Sequence, residues 1–141
     1  LEAVKKVWTG DVVDHDGEFI SWHGFKSHPT PVQKPHPPIL LGGVTAKTLQ
    51  RVVDSADGWY APSDSKRVLH DKLEVLKEKA AEAGRSFESL DITTSWRISA
   101  RPDALPEYEE LGIHRVNVLL GATGEPDPRK AIDLIASRAG L

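Results

Sequence analysis

The chain lacks several residue types and patterns that would define its class. None of its 141 residues is cysteine, which excludes disulfides, thiolate metal ligands and cysteine nucleophiles and suits a cytoplasmic protein. No apolar run approaches the ~20 residues of a membrane-spanning helix, and the six histidines show no metal-binding spacing such as HExxH, so neither a membrane nor a metal is expected. The 18 lysines and arginines are outnumbered by 21 acidic residues and form no basic run, so nucleic acid is not an expected partner either. Neutral small molecules or other proteins are expected instead.

Methionine is also absent, and the chain opens on Leu1 within "LEAVKKVWTG", which is typical of the tail of an amphipathic helix. We therefore expect 1–141 to be a single partial domain, derived from a longer protein. With 39% hydrophobic and 28% charged residues, the composition suits a globular chain with one modest core.

Two segments near the amino terminus differ from the rest. Region 11–22 predicts a small hairpin excursion, because apolar residues flank the turn signal Asp16-Gly17 on both sides. Region 23–38 holds five prolines and three histidines with little periodicity, which predicts an ordered connecting loop.

The remainder alternates between strand and helix patterns. Strands are predicted at 39–41, 57–61, 91–99 and 114–120, and helices at 46–56, 65–83, 106–111 and from 128 onward, the last with Ala131, Ile132, Ile135 and Ala136 inward. The triplet 39–41 is expected to be buried on both faces. Four strand–helix units predict an α/β fold with a parallel sheet and right-handed crossovers. Such a sheet could be a complete doubly wound domain or half of a (β/α)8 barrel, and periodicity does not choose between them.

The run "PPILLGG" ends on two glycines, Gly42 and Gly43, where the first of these strands meets its helix. In parallel α/β folds the carboxyl ends of the strands carry the site. Two residues without side chains would let a phosphate approach the amides of Gly43, Val44 and Thr45, and the helix that begins near Ala46 adds its positive dipole end. Alternatively, the glycines only make a tight turn that needs positive φ.

Three side chains after later strands are weaker candidates for a substrate pocket. Arg97, placed on the polar face of the third strand toward its carboxyl end, could bind an anionic substrate or a cofactor phosphate, or could pair with a carboxylate of the sheet. Ser63 and Lys66 follow the "DGWYAP" strand. Trp59 and Tyr60 are interpreted as packing residues.

The order of "VWTG", "DGEFI", "PVQKPHPPILLGG", "SADGWY", "AAEAGRS" and "LGIHRVNVLL" resembles the C-terminal half of the luciferase-like oxidoreductases, the bacterial-luciferase-type enzymes. The resemblance covers essentially the whole chain. It implies that these residues hold strands five to eight of a (β/α)8 barrel and that Gly42, Gly43 and Val44 bind the phosphate end of FMN or of an 8-hydroxy-5-deazaflavin of the coenzyme F420 type. The family's proton-handling groups come mostly from the other half, so the catalytic residues stay unknown.

From the resemblance we expect part of a flavin- or deazaflavin-dependent oxidoreductase or monooxygenase that acts on a small organic substrate. Whether the chain alone is active is left open. The alternative is a non-catalytic half barrel. Four strands would then leave two unpaired edges and an apolar inner face, so this half would associate with itself or with a missing N-terminal half.

Overall fold

The computed structural model describes residues 1–63 and 65–141, which form two compact units, Leu1–Ile39 and Leu40–Leu141. In the first unit, helix α1 (Glu2–Trp8) precedes an antiparallel hairpin of β1 (Val13–Asp16) and β2 (Ser21–Phe25). The second strand runs beyond the predicted boundary at 22, so the proline-rich loop begins only after Phe25.

The second unit consists of alternating strands and helices. In chain order they are β3 (Leu40–Gly42), α2 (Ala46–Ser55), β4 (Gly58–Ala61), α3 (Lys66–Glu82), β5 (Asp91–Ser95), α4 (Leu105–Glu110), β6 (Arg115–Asn117) and α5 (Pro128–Ala139). All neighbouring strands are parallel, in the order β3-β4-β5-β6. The predicted parallel α/β fold is therefore confirmed.

Local signals explain where the helices begin and end. Thr45 caps α2, since its Oγ1 accepts a hydrogen bond from the Thr48 amide at 3.1 Å. Asp127 caps α5 in the same way, with its Oδ1 2.9 Å from the Arg129 amide, and proline at the next position suits the first turn. Beyond α3 the chain turns at Gly84, which has a φ of +65°.

The sheet presents two chemically different faces, because side chains alternate along each strand. On one face, which we call the helix face, the register aligns Leu41 with Trp59, Trp59 with Ile92, and Thr94 with Val116. The apolar residues of this face share one core cluster with buried residues of α2, α3 and α4, and Ile135 of α5 packs against the same cluster.

The position of the helices decides between the two predicted architectures. When neighbouring strands of a parallel sheet follow one another in chain order and every crossover is right-handed, all the connecting helices lie on the same face of the sheet, as in a barrel. A doubly wound sheet would divide its helices between both faces. Because the helices of this unit contribute to one cluster on one face, the sheet is a partial barrel of four β/α units.

The opposite face, which we call the polar face, carries Leu40, Gly42, Gly58, Tyr60, Asp91, Thr93, Ser95, Arg115 and Asn117. The Arg115 guanidinium lies 3.1 Å from the Asp91 carboxylate, and Thr93 Oγ1 donates to Asp91 Oδ1 at 3.1 Å. Farther along the strands, the hydroxyls of Tyr60 and Ser95 are hydrogen-bonded to each other. The prediction of an apolar inner face is therefore wrong.

Two further burial predictions are wrong. Leu40 and Leu41 are only half-buried, since β3 is an outer strand of the sheet with a single partner. In α5, Ala131 is fully buried but Ile132 is 53% exposed, because this helix turns residues 131 and 135 to the core while Ile132 lies on the solvent side.

Gly58 marks the closest backbone approach between β4 and β5. A Cβ atom added there would lie 2.1 Å from the Asp91 carbonyl oxygen, which is fixed in the neighbouring strand. Gly58→Ala should therefore lower the free energy of unfolding by about 3 kcal/mol or more, through forced overpacking. Urea denaturation of the 141-residue chain measures this. Gly121→Ala, with no atom within 4 Å of the added Cβ, is the control, and equal effects of both substitutions would contradict the packing described here.

Candidate functional site

A cavity of about 440 Å³ lies at the carboxyl ends of β4 and β5, lined by Tyr60, Pro62, Ser63, Ser95 and Arg97. It joins Ser63 and Arg97, which the sequence predicts as pocket residues. Tyr60, which the sequence indicates as a packing residue, also lines the cavity, and so does Ser95, which no sequence motif indicates as a site residue. The signal for both lies in the alternation of their strands, which places them on the same face as Gly42.

A buried threonine positions the loop that carries Ser63. The hydroxyl of Thr94, on the helix face of β5, lies 2.9 Å from the Ala61 carbonyl oxygen and 2.7 Å from that of Ser63. The Ser63 hydroxyl in turn accepts a hydrogen bond from the Ser65 amide at 3.2 Å. The hydrogen bonds of Thr94 connect the loop after β4 to β5 and so hold one wall of the cavity in place.

Arg97 lies after β5 and not on it, because the strand ends at Ser95. The Trp96 amide still donates to the Asn117 carbonyl at 2.9 Å, but there the neighbouring strand β6 ends. Burial nevertheless alternates beyond the end of the strand, since Trp96 and Ile98 are buried and Arg97 between them is exposed. The sequence pattern therefore overestimated the length of the strand, while it placed Arg97 at the correct edge of the sheet.

Lys66 takes a different position. Its Nζ lies 2.8 Å from Glu110 Oε2 at the end of α4, and this hydrogen bond raises the pKa of Lys66. Ser63 and Arg97 line the cavity, whereas the Lys66 side chain forms an ion pair with Glu110 of α4.

The two glycines of the β3–α2 turn differ in what they require. Gly43 has a φ of +127°, and a Cβ there would lie 3.1 Å from atoms of the Thr48 side chain, so the turn itself explains this residue. Gly42 has no such φ, and its nearest contact for an added Cβ would be the Tyr60 carbonyl oxygen at an ordinary 3.8 Å. The packing of the chain therefore does not require glycine at position 42.

The turn presents backbone donors next to Gly42. The Gly43 carbonyl accepts a hydrogen bond from the Trp59 indole at 2.8 Å, which anchors the turn to the core. The first intrahelical bond of α2 runs from the Leu49 amide to the Thr45 carbonyl, so the amides of Ala46 and Lys47 precede it at the positive end of the dipole. Val44 and Thr45 are exposed and the first turn contains no acidic residue. This arrangement fits a phosphate group.

Other chemistries receive no support from the part of the chain that the structure describes. Within residues 1–63 and 65–141, no group of three or more histidine, aspartate and glutamate side chains could hold a metal ion. Among the same residues, no helix combines the length and the apolar character needed to cross a membrane. Trp59 is buried, as predicted for a packing residue, and Tyr60 is only half-buried.

Comparisons with known proteins connect this geometry to a family. The sequence model of a family described as luciferase-like monooxygenase matches residues 1–116. An uncharacterized protein of Mycobacterium tuberculosis is 34% identical over 118 residues, which cover 82% of this chain and 40% of that protein. The FMNH(2)-dependent dimethylsulfone monooxygenase of Pseudomonas putida is 26% identical over 88 residues, 62% of this chain and 24% of the enzyme.

Among solved structures, the coenzyme F420 dependent tetrahydromethanopterin reductase from Methanopyrus kandleri superposes with a TM-score of 0.78. Its sequence identity is 15%, and the match covers 97% of this chain and 60% of that one, so the likeness concerns the fold. The chain thus spans less than two thirds of the length of each of these proteins, from 24% of the dimethylsulfone monooxygenase to 60% of the reductase.

The different requirements of the two glycines lead to a stability test. Gly43→Ala should lower the free energy of unfolding by about 1–3 kcal/mol, since an L-residue is strained at this φ. Gly42→Ala should leave stability unchanged or raise it by about 0.5 kcal/mol, because alanine restricts the unfolded chain. Thermal or urea unfolding of both variants measures the difference. A loss at Gly42 as large as that at Gly43 would show that the chain itself needs both glycines.

Proposed function

Because the chain belongs to the luciferase-like monooxygenase family, we propose that it contributes the cofactor-phosphate end of the active site in a flavin- or deazaflavin-dependent oxidoreductase. The reaction is of the monooxygenase or hydride-transfer type, on a small organic substrate. The whole enzyme's activity is part of the proposal, since this chain spans only 40% of its mycobacterial relative.

The observation that carries the proposal is Gly42. It lies on the polar face, at the carboxyl end of β3 and beside Tyr60 in the register, and the chain's own packing leaves its missing side chain unexplained. A ligand that approaches the backbone closely would account for it. One relative is named as FMNH(2)-dependent and one structural neighbour as coenzyme F420 dependent. Both cofactors carry a phosphate group, and the N-terminus of a helix such as α2 is suited to bind phosphate.

Each residue group has its own part in this proposal. The amides of Ala46 and Lys47 bind the phosphate, Gly42 leaves room for it, and the hydrogen bond from Trp59 to the Gly43 carbonyl holds the turn in place. When bound, the flavin or deazaflavin ring supplies the hydride or electron transfer. The cavity beside Tyr60 then receives the substrate.

Binding of FMN and riboflavin to the 141-residue chain tests this role. The two molecules differ in the phosphate, so FMN should bind at least about tenfold more tightly, as charge-assisted hydrogen bonds would give. Gly42→Ala should weaken FMN binding about tenfold and bring the ratio close to one, because the added methyl group keeps the phosphate from the backbone. Flavin fluorescence measures both constants, and coenzyme F420 titrated in parallel covers the deazaflavin case.

Gly121→Ala is the matched control, since Gly121 lies after β6 with open space around it. It should retain the affinity of the wild type for both flavins. Equal binding of FMN and riboflavin by the wild type, or an unchanged ratio in Gly42→Ala, would contradict a phosphate at this turn.

The sheet order favours a second candidate, a half barrel that associates with itself or with an N-terminal half. Within the described sheet, β3 and β6 each pair with one strand, and such edges can pair with another chain. Light scattering after size exclusion should then give twice the 15.5 kDa of the chain at high protein concentration. A mass of one chain at every concentration would contradict self-association.

A further inference from the structure

We propose that the ring of Tyr60 contacts the part of the cofactor that follows the phosphate, and that Ser95 holds this ring in position. The inference rests on the proposed function, because it extends the phosphate site at Gly42 along the sheet. The part of the cofactor concerned is the ribityl chain and the ring system, which FMN shares with riboflavin.

The order of the strands places Tyr60 between the two features of the site. Its strand, β4, lies between β3, which carries Gly42, and β5, which carries Ser95. Gly42 is the register partner of Tyr60, and a Cβ atom added at Gly42 would lie 3.9 Å from Cδ1 of the Tyr60 ring. The cavity begins at the same ring, since Tyr60 and Ser95 both line it. A ligand that extends from the backbone of Gly42 into the cavity therefore passes along Tyr60.

The Tyr60 ring presents surface that the core does not use. Its neighbours in β4, Trp59 and Ala61, are buried and belong to the core cluster, whereas Tyr60 points to the polar face and is only half-buried. A tyrosine ring is a large apolar surface that makes specific contacts with other flat groups. Beside a glycine that leaves room above the backbone, such a ring suits a planar ligand and the chain attached to it.

The hydroxyl group of Tyr60 fixes the orientation of this ring. It is hydrogen-bonded to the Ser95 hydroxyl on the adjacent strand. The side chain is therefore held at one end by the backbone of β4 and at the other end by β5. Without this bond, the ring would be free to exchange among staggered rotamers. Ser95 is thus a positioning residue, which acts on the cofactor through the orientation of Tyr60.

Binding of FMN and riboflavin to Tyr60 variants of the 141-residue chain tests the contact. Tyr60→Leu should weaken the binding of both flavins at least about tenfold, because the aromatic contact is lost. The ratio of the two affinities should stay at the wild-type value, because the phosphate contacts remain. Gly42→Ala, in contrast, should change this ratio. Flavin fluorescence measures the constants, and the amide NMR spectrum of each variant verifies its fold.

A double-mutant cycle tests the role of Ser95 and keeps the inference testable should Tyr60→Leu unfold. Tyr60→Phe and Ser95→Ala each remove the hydrogen bond and keep the ring, so each should weaken both flavins about threefold to tenfold. The double variant should bind as the single variants do, since one interaction is lost in all three. Ser95→Thr keeps a hydroxyl group and should restore the wild-type affinity.

Ser89→Ala is the matched control for the loss of a serine hydroxyl. Ser89 precedes the amino end of β5, at the opposite edge of the sheet, and its Oγ donates to the Ser86 carbonyl at 2.7 Å. This variant should bind both flavins as the wild type does. A loss of affinity as large as that of Ser95→Ala would show that the effect comes from general stability, and would overturn the positioning role.

The outcomes also separate this inference from the proposed function. Unchanged affinity for both flavins in Tyr60→Leu and Tyr60→Phe would overturn the ring contact, whereas a wild-type preference for FMN would still support the phosphate site. Additive losses in the double variant would overturn the role of Ser95. Equal binding of FMN and riboflavin by the wild type, with a loss of both in Tyr60→Leu, would support the ring contact and refute the phosphate site. A wild-type chain that binds neither flavin nor coenzyme F420 would overturn both.

Discussion

The structure depends on one constraint, the alternation of side chains about a parallel sheet whose helices all pack on one side. Trp59, Ile92 and Val116 stand on that side and join the apolar stripes of the helices in one core. The residues between them must then point the other way. That second set is polar, and its members converge where the strands end, which brings Tyr60, Ser95 and Arg97 around one cavity. The core and the candidate site are thus two consequences of one pattern.

The turn between β3 and α2 shows how fold and function divide adjacent positions. Gly43 has the unusual φ that the turn needs, and its carbonyl is fastened to the buried Trp59 indole. Gly42 has ordinary backbone geometry and space for a methyl group. The two adjacent glycines therefore have different roles: the turn requires Gly43, whereas Gly42 leaves space in which a ligand could approach the backbone.

Much of the fold was predictable from the sequence, because its signals are local. The caps Thr45 and Asp127 and the glycine after α3 placed the helix ends close to where they lie. The apolar strand patterns gave the parallel α/β class. The wrong predictions depend on neighbours: β5 is shorter than its period-two pattern because the paired strand β6 ends at Asn117. Burial of Leu40 and Leu41 likewise depends on β3 having one partner.

The candidate site was predictable in part. The glycine pair, Ser63 and Arg97 follow strands, so their position at one edge of a parallel sheet could be inferred without knowing the fold. Alternation groups Tyr60 with one face of β4 and Ser95 with one face of β5, but it does not say which face the helices cover. The register of the sheet was needed to assign both residues to the site. The ion pair between Lys66 and Glu110 connects the first residue of α3 to the last residue of α4. No local sequence pattern indicates such a contact.

A crystal structure of the chain with bound FMN or coenzyme F420 tests the central claim most directly. The account predicts the phosphate oxygens within hydrogen-bonding distance of the first amides of α2, with the backbone of Gly42 against the ligand. A cofactor phosphate bound elsewhere, with the Gly42 Cα facing only solvent, would contradict it.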